Sequence, residues 1–368
     1  MNILITGADG FIGKNLCQEL SNYTNLKIFK IKKKNSLTDL KKKIEISDVI
    51  YHLAGANKEI KTENFKKNNF LFTKQLVDLL KNTKKEVRII YTSSILATTK
   101  TEYGKTKKSS EFVLRELKKN KRISLSILRL PNIFGKWGKP FYNSAIATFC
   151  YQASRGLKLE LHNNKIMSLM YIDDLVKYLI KNMKKKIKYE MIYQFNKTYK
   201  IKLYKIADLI ESFRTLKIEE IPANIFNEFV KKLYSTYLSY VPQKRINASL
   251  VKKNDSRGDF VEILKNKNFG QISFITINPS KERGGHYHNT KIERFFIIQG
   301  KVNFLFKNLN TKKNYSLKVS QSKYETINTV PGVVHKIKNI GKKKAILVIW
   351  TNEIYNSNKP DTYNYKYK

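Results

Sequence analysis

The N-terminal stretch constrains this chain more than any other. Residues 3–6 form a short apolar run ending in Thr6; Gly7-Ala8-Asp9-Gly10-Phe11-Ile12-Gly13 follows without a break, and residues 14–20 have helical spacing. A strand that turns on glycines into a helix lets backbone N–H groups approach a phosphate, and the helix N-terminus adds partial positive charge. The expectation is the first βα turn of a doubly wound parallel α/β sheet, with a dinucleotide pyrophosphate over Gly7, Gly10, Phe11, Ile12 and Gly13.

The next segments carry the chemistry. Where an NAD site commonly places an acidic residue for the ribose hydroxyls, the second strand, residues 26–31, runs into Lys32-Lys33-Lys34. Lys32 and Lys33 would instead favour the 2′-phosphate of NADPH. A buried strand ending at His52 leads into Leu53-Ala54-Gly55, a small-residue loop beside the cofactor. His52 itself reads as a packed, hydrogen-bonded residue rather than a catalyst. After a helix carrying Asn69 and Thr73, a strand at 87–91 delivers Thr92-Ser93-Ser94, and Tyr103 follows nine residues later with Lys107 four beyond it. That spacing puts Tyr103 and Lys107 on one helix face. An ammonium there would lower the phenol pKa and hold the nicotinamide ribose, so that Tyr103 could exchange a proton with a carbonyl oxygen while Ser94 supplies a second hydrogen bond. A lone Tyr-x-x-x-Lys is common by chance; its place after the glycine turn and a serine-bearing strand gives it weight.

Together these pieces resemble the extended short-chain dehydrogenase/reductase family over roughly residues 1–240. The resemblance implies a Rossmann-type domain in which Ser94, Tyr103 and Lys107 are catalytic and Asn69 is the helix asparagine. It places Arg129 and Asn132, in Leu128-Arg129-Leu130-Pro131-Asn132, at the nicotinamide and substrate edge. It also implies nucleotide-sugar contacts from Met170-Tyr171-Ile172-Asp173-Asp174 and a homodimer built through a four-helix interface. Between these motifs, residues 137–144 read equally well as a uracil and pyrophosphate cleft or as a packed loop, with Arg155 able to neutralise a diphosphate.

Helical periodicity extends through residues 206–240 and is lost around Pro242, which sets an expected domain boundary between 1–243 and 244–368. Six β-rich runs follow, at 258–264, 270–277, 295–306, 315–319, 324–327 and 345–350, and they suit an all-β barrel. His286 and His288 stand two apart, so both imidazoles leave one strand face. With Glu293 and His335 they make a set suited to a divalent metal, zinc first, with Fe²⁺, Mn²⁺ or Ni²⁺ also accommodated. The competing reading is incidental polar residues on a lysine-rich surface, but the chain has only five histidines and three fall in these two motifs. The pattern resembles the cupin family, a double-stranded β-helix barrel, and that fold alone names no reaction. Arg257, at the entry to this half, resembles an arginine that meets a nucleotide diphosphate in sugar-epimerase cupins. Tyr287 and Lys291 stand nearby, with nothing to prefer either as a base.

The net charge of +43 raises the question of nucleic acid. The lysines are spread through both halves without a nucleic-acid-binding motif, so a lysine-rich composition bias is the better account and no nucleic-acid partner is expected. The charge would still attract anionic substrates. No apolar stretch reaches the ~18 residues of a membrane span, and no signal segment precedes the glycine turn, so a cytoplasmic protein is expected. Cys17 and Cys150 read as reduced core residues.

A reductase followed by a cupin resembles the family of bifunctional capsular-polysaccharide enzymes that form UDP-2-acetamido-2,6-dideoxy-L-talose, and residues 143–151 and 233–240 are similar over long runs. This implies that the cupin half epimerises C3 of a UDP-2-acetamido-2,6-dideoxy-4-hexulose and that the reductase half reduces the C4 ketone with NADPH, toward N-acetyl-L-fucosamine in capsule or O-antigen. The order is chemical: the 4-ketone acidifies the C3–H, so epimerisation must precede reduction. Two other readings stay open. One is a 4,6-dehydratase or C4-epimerase that retains its nicotinamide beside a binding-only cupin. The other is a non-enzymatic cupin sensor or nucleic-acid binder.

Overall fold

Strand β1 (Asn2–Thr6) buries Ile3, Leu4 and Ile5 completely. Consecutive rather than alternating burial is what a strand covered on both faces requires. In the computed structural model, which describes residues 1–32, 35–58, 62–161, 164–185, 187–245, 247 and 249–366, the chain divides into two compact units. Met1–Glu211 and Glu228–Pro242 form one; Ser212–Asn227 and Gln243–Lys368 form the other.

In the first unit β1 is followed by α1 (Phe11–Leu20), β2 (Lys27–Ile31), α2 (Leu37–Ile46) and β3 (Val49–His52). Then come α3 (Thr62–Phe65), a π turn (Lys66–Leu71), α4 (Phe72–Leu80), β4 (Val87–Ser94), α5 (Glu102–Arg115) and β5 (Ile123–Leu130). The unit is completed by β6 (Asn132–Phe134), α6 (Ala145–Ala153), β7 (Ile166–Tyr171), α7 (Ile172–Lys181), β8 (Tyr189–Ile192), β9 (Tyr199–Lys202), α8 (Leu203–Arg214) and α9 (Glu228–Leu238), with α8 crossing the boundary between the units. The main sheet runs β2-β1-β3-β4-β5-β8 with every pairing parallel. Leu16 and Leu20 of α1 pack with Leu175 and Leu179 of α7 on one face; Leu40 of α2, Leu76 of α4 and Leu114 of α5 pack on the other. Strand order reverses between β1 and β3, and a crevice at the carboxyl ends of a parallel sheet opens at such a point. Cys17 and Cys150 are free and buried.

Beyond the end of α8 and a 3-10 turn (Gln243–Arg245), the described second unit is built of strands: β10 (Lys252–Asp255), β11 (Gly258–Asn266), β12 (Gly270–Ile277), β13 (Glu282–Tyr287), β14 (Glu293–Gln299), β15 (Lys301–Asn308), β16 (Asn314–Ser320), β17 (Thr326–Asn328), β18 (Val333–Asn339), β19 (Ala345–Thr351) and β20 (Tyr363–Asn364). One sheet runs β10-β11-β12-β19-β14-β17 and the other β16-β15-β18-β13-β20, with Phe295, Phe304, Ile337 and Leu347 between them. The run expected at 295–306 is two strands, because Gly300 (φ +96°) turns the chain from one sheet to the other. Ser212–Asn227, which periodicity alone left with the preceding helices, attaches to this unit: Asn266 Nδ2 donates to the Pro222 carbonyl at 3.0 Å and the amide of Ile221 to the Lys265 carbonyl. Among the described residues no helix is long and apolar enough to cross a membrane.

Candidate functional site

The glycine turn closes on itself, with the Gly10 amide donating to the Gly7 carbonyl at 2.9 Å before α1 begins. Gly7 sits at φ +70°, where a Cβ would lie 2.7 Å from the Ala54 amide nitrogen. Behind the turn runs a buried relay. Thr73 Oγ1 donates to the Asn69 carbonyl at 2.6 Å, so it accepts from His52 Nε2 at 2.9 Å, and His52 Nδ1 therefore accepts from Thr6 Oγ1 at 2.8 Å. His52 is a neutral structural tie, with burial, and next the nearby Lys107 charge, pushing its pKa down to about 3. Asn69, on the π turn, pins the 54–57 loop through the Ala56 amide at 2.7 Å and the Ala56 carbonyl at 3.0 Å.

Beside this loop a cleft of about 780 Å³ is lined by Gly7, Gly10, Phe11, Ile12 and Gly13 at one end and by Ser94, Tyr103 and Lys107 on its floor. Ser94 ends β4 and Tyr103 lies in the first turn of α5, and both line the cleft. Lys107 lies one turn beyond Tyr103 on α5 and lines the same cleft. Its ammonium donates to the Thr92 carbonyl at 2.8 Å and to the Tyr91 hydroxyl at 3.3 Å, and burial lowers its pKa to about 8 against the raising effect of Glu111. The Tyr103 pKa is raised by burial, with Ser94 pulling the other way. Trp137, Phe141, Tyr142, Asn143 and Ser144 line the cleft. Trp137, Phe141 and Asn143 have positive φ, and Asn143 Nδ2 and Lys58 Nζ tie the loop to the Asn57 and Phe141 carbonyls.

The second unit gathers His286 from β13, His288 just beyond it, Glu293 at the head of β14 and His335 from β18, with one ligand atom from each lying within 4.8 Å of the others. His286 and His335 are cross-strand partners in register. His288 Nε2 lies 3.4 Å and His335 Nε2 3.0 Å from Glu293 Oε2. Among the described residues the buried Nε2 of His288 has no hydrogen-bond partner. An orphaned imidazole nitrogen facing a buried carboxylate and two more imidazoles fits a divalent cation, and the mixed nitrogen and oxygen donors suit zinc.

Residues 3–194 match the NAD dependent epimerase/dehydratase family. The chain belongs to that family. Residues 253–363 match the polysaccharide biosynthesis C-terminal domain. Over 364 residues, 99% of this chain and 98% of the relative, the sequence is 36% identical to a UDP-2-acetamido-2,6-beta-L-arabino-hexul-4-ose reductase of Pseudomonas aeruginosa. The crystal structure of the capsular polysaccharide assembling protein CapF from Staphylococcus aureus superposes at a TM-score of 0.89 and 33% identity, covering 100% of both chains. UDP-glucuronic acid 4-epimerase from Bacillus cereus, solved with NAD, shares the fold at a TM-score of 0.51 and 21% identity over 59% of this chain and 85% of that one.

As a member of the epimerase/dehydratase family the chain has its glycine turn, Leu53, Asn132 and the Ser94, Tyr103 and Lys107 group on one cleft. Ala54, Asn69 and Arg129 are not among the residues lining it. Arg129 is turned to Glu111, which accepts from its Nε at 2.8 Å and its second guanidinium nitrogen at 2.6 Å, and from Ser93 Oγ at 2.6 Å. Glu111 and Ser93 escaped the sequence reading, since no motif marks them. Lys32 ion-pairs with Asp9 of the glycine turn at 3.2 Å, and Lys33 lies outside the described residues. In the second unit Arg257 is chelated by Asp255, with contacts of 2.6 and 3.1 Å.

Proposed function

We propose that this chain is a bifunctional nucleotide-sugar enzyme in which the β unit epimerises C3 of a UDP-2-acetamido-2,6-dideoxy-4-hexulose and the Rossmann unit reduces the C4 ketone with NADPH, in capsule or O-antigen precursor synthesis. The observation that carries the reading is the Ser94, Tyr103 and Lys107 group lining the same cleft as the glycine turn. Full-length similarity to a reductase of a UDP-hexulose supports it.

In the reduction Tyr103 gives its proton to O4 as hydride arrives at C4, so the carbonyl π pair becomes the new O–H bond. Ser94 holds the same oxygen with a second hydrogen bond. Lys107 spends two of its three N–H groups on Thr92 and Tyr91 and has one left for the nicotinamide ribose. Lys32 would exchange Asp9 for the 2′-phosphate of NADPH. In the epimerisation the C3 proton leaves one face of the sugar and returns to the other while the 4-ketone stores the charge as an enolate. His286, His288, Glu293 and His335 would hold one divalent ion, zinc first. When bound, such an ion supplies positive charge inside the barrel. We place the enzyme in the cytoplasm as a homodimer formed on the α4 and α5 face, where Phe112 is 70% exposed.

The test is incubation with the UDP-4-hexulose and NADPH in D₂O, return to ordinary water, and mass spectrometry of the product. A reduced sugar retaining one carbon-bound deuterium supports both activities. A reduced sugar without deuterium leaves a C4 reductase alone, and no reduction overturns the reading.

A further inference from the structure

The C-terminal segment closes over the histidine cluster. Strand β20 pairs with β13 at His286 and Asn364 and at Tyr287 and Tyr363, and the Tyr365 amide donates to the Gly285 carbonyl at 2.9 Å. Just before β20, one residue makes two different contacts with the cluster. The Asp361 carboxylate accepts from three successive backbone amides, those of Asn289 at 2.9 Å, Thr290 at 2.6 Å and Lys291 at 2.7 Å, and from Thr290 Oγ1 at 3.0 Å. These amides belong to the turn between His288 and Glu293. Consecutive amides converging on one carboxylate form an anion nest that fixes the turn. The main-chain carbonyl of Asp361 meets Nδ1 of His288. A carbonyl can only accept, so Nδ1 carries the proton and Nε2, the orphaned atom facing the cluster, presents its lone pair.

We propose that Asp361 is a positioning residue of the metal centre, its carboxylate holding the turn that spaces His288 from Glu293 and its carbonyl fixing His288 with Nε2 free to ligate. The proposal rests on the metal reading of the four-residue cluster. Partners of this kind typically govern metal affinity by about 10–100-fold.

The test uses the full chain, with equilibrium competition for Zn²⁺ against a chromophoric chelator and the visible spectrum of the Co²⁺-loaded protein. Asp361→Ala should weaken Zn²⁺ binding by about 10–100-fold and alter the Co²⁺ absorption. Asp361→Asn, which keeps one acceptor oxygen, should fall between that variant and the wild type, and it decides the matter should the alanine variant not fold. A residue that only stabilises the barrel would lower the melting temperature of the metal-free protein and leave both readouts alone. Zn²⁺ affinity within twofold of wild type in the folded variants overturns the proposal. Failure of the wild type itself to take up Zn²⁺ overturns the metal reading and the proposal with it.

Discussion

Lys107 is 4% exposed and its pKa is depressed from 10.5 to about 8 by burial. At about 1.4 kcal/mol for each pH unit, a charged Lys107 costs the folded reductase unit about 3 kcal/mol. Below pH 8 the lysine is protonated in both folded and unfolded chains, and the full cost applies. Above pH 8 the folded lysine sheds its proton while the unfolded one keeps it until 10.5, so stability recovers across that window. Replacing Lys107 with Met removes the titration. It also strands the Thr92 carbonyl, a loss of about 1–3 kcal/mol that does not depend on pH. The quantity to follow is therefore the difference in unfolding free energy between wild type and Lys107→Met. It should move in favour of the wild type by up to about 3 kcal/mol between pH 8 and 10.5. Urea unfolding read by helical circular dichroism follows the first unit, which holds all the described α-helix but the last turn of α8. A difference that stays flat from pH 7 to 10 would show that Tyr91 and Thr92 solvate the ammonium as well as water does, and that burial carries no cost for Lys107. In the wild type, kcat/KM for reduction should fall above about pH 8 as Lys107 loses its charge, because the raised pKa of Tyr103 keeps the phenol protonated there.

Tyr103→Phe should lower NADPH oxidation by about 10²–10⁴-fold and leave deuterium exchange at C3 intact; loss of both would count against separate sites. Lys32→Ala should raise the KM for NADPH by about 10–100-fold, the worth of a charge-assisted phosphate contact, with no change for NADH, and an equal effect on both cofactors would remove Lys32 from the 2′-phosphate. Gly13→Ala would place a methyl 2.2 Å from the Gly7 carbonyl oxygen and 2.8 Å from the Ala8 Cα. Both obstacles are backbone, so α1 must move by about 1 Å and cofactor binding should weaken at least tenfold, as read by fluorescence titration with NADPH. Unchanged binding in that variant would mean that the pyrophosphate does not sit on this turn.

What the sequence made legible is what local chemistry writes into it. The glycine turn, the Tyr103 and Lys107 spacing and the His286 and His288 pair each follow from one element's geometry. Contacts between distant elements were not legible. Glu111 lies only four residues beyond Lys107 on α5, yet nothing in the chain announces that it faces Arg129 on β5, and the resemblance put that arginine at the substrate edge instead. The helix expected at Asn69 exists, but the π turn that aims its side chain at Ala56 has no composition signal. Asp361 is separated from Lys291 by 70 residues. An aspartate near a lysine-rich terminus looks like any solvated charge until the fold brings three amides to it. Lys107 shows the same limit: its distance from Tyr103 along the helix was readable, but the carbonyl of Thr92 that captures the ammonium belongs to β4.

The chain passes between its two units at Glu211–Ser212, Asn227–Glu228 and Pro242–Gln243. A single cut therefore cannot release intact halves. A fragment beginning at residue 244 leaves behind the 212–227 insertion, baring the amides of Asn266 and Asn268 that its carbonyls cap. The other fragment then carries the sixteen-residue segment Ser212–Asn227 without the residues it bonds. Interlacing of this kind resists gene fission, since neither activity can be inherited alone until the junction has been rebuilt at two further points.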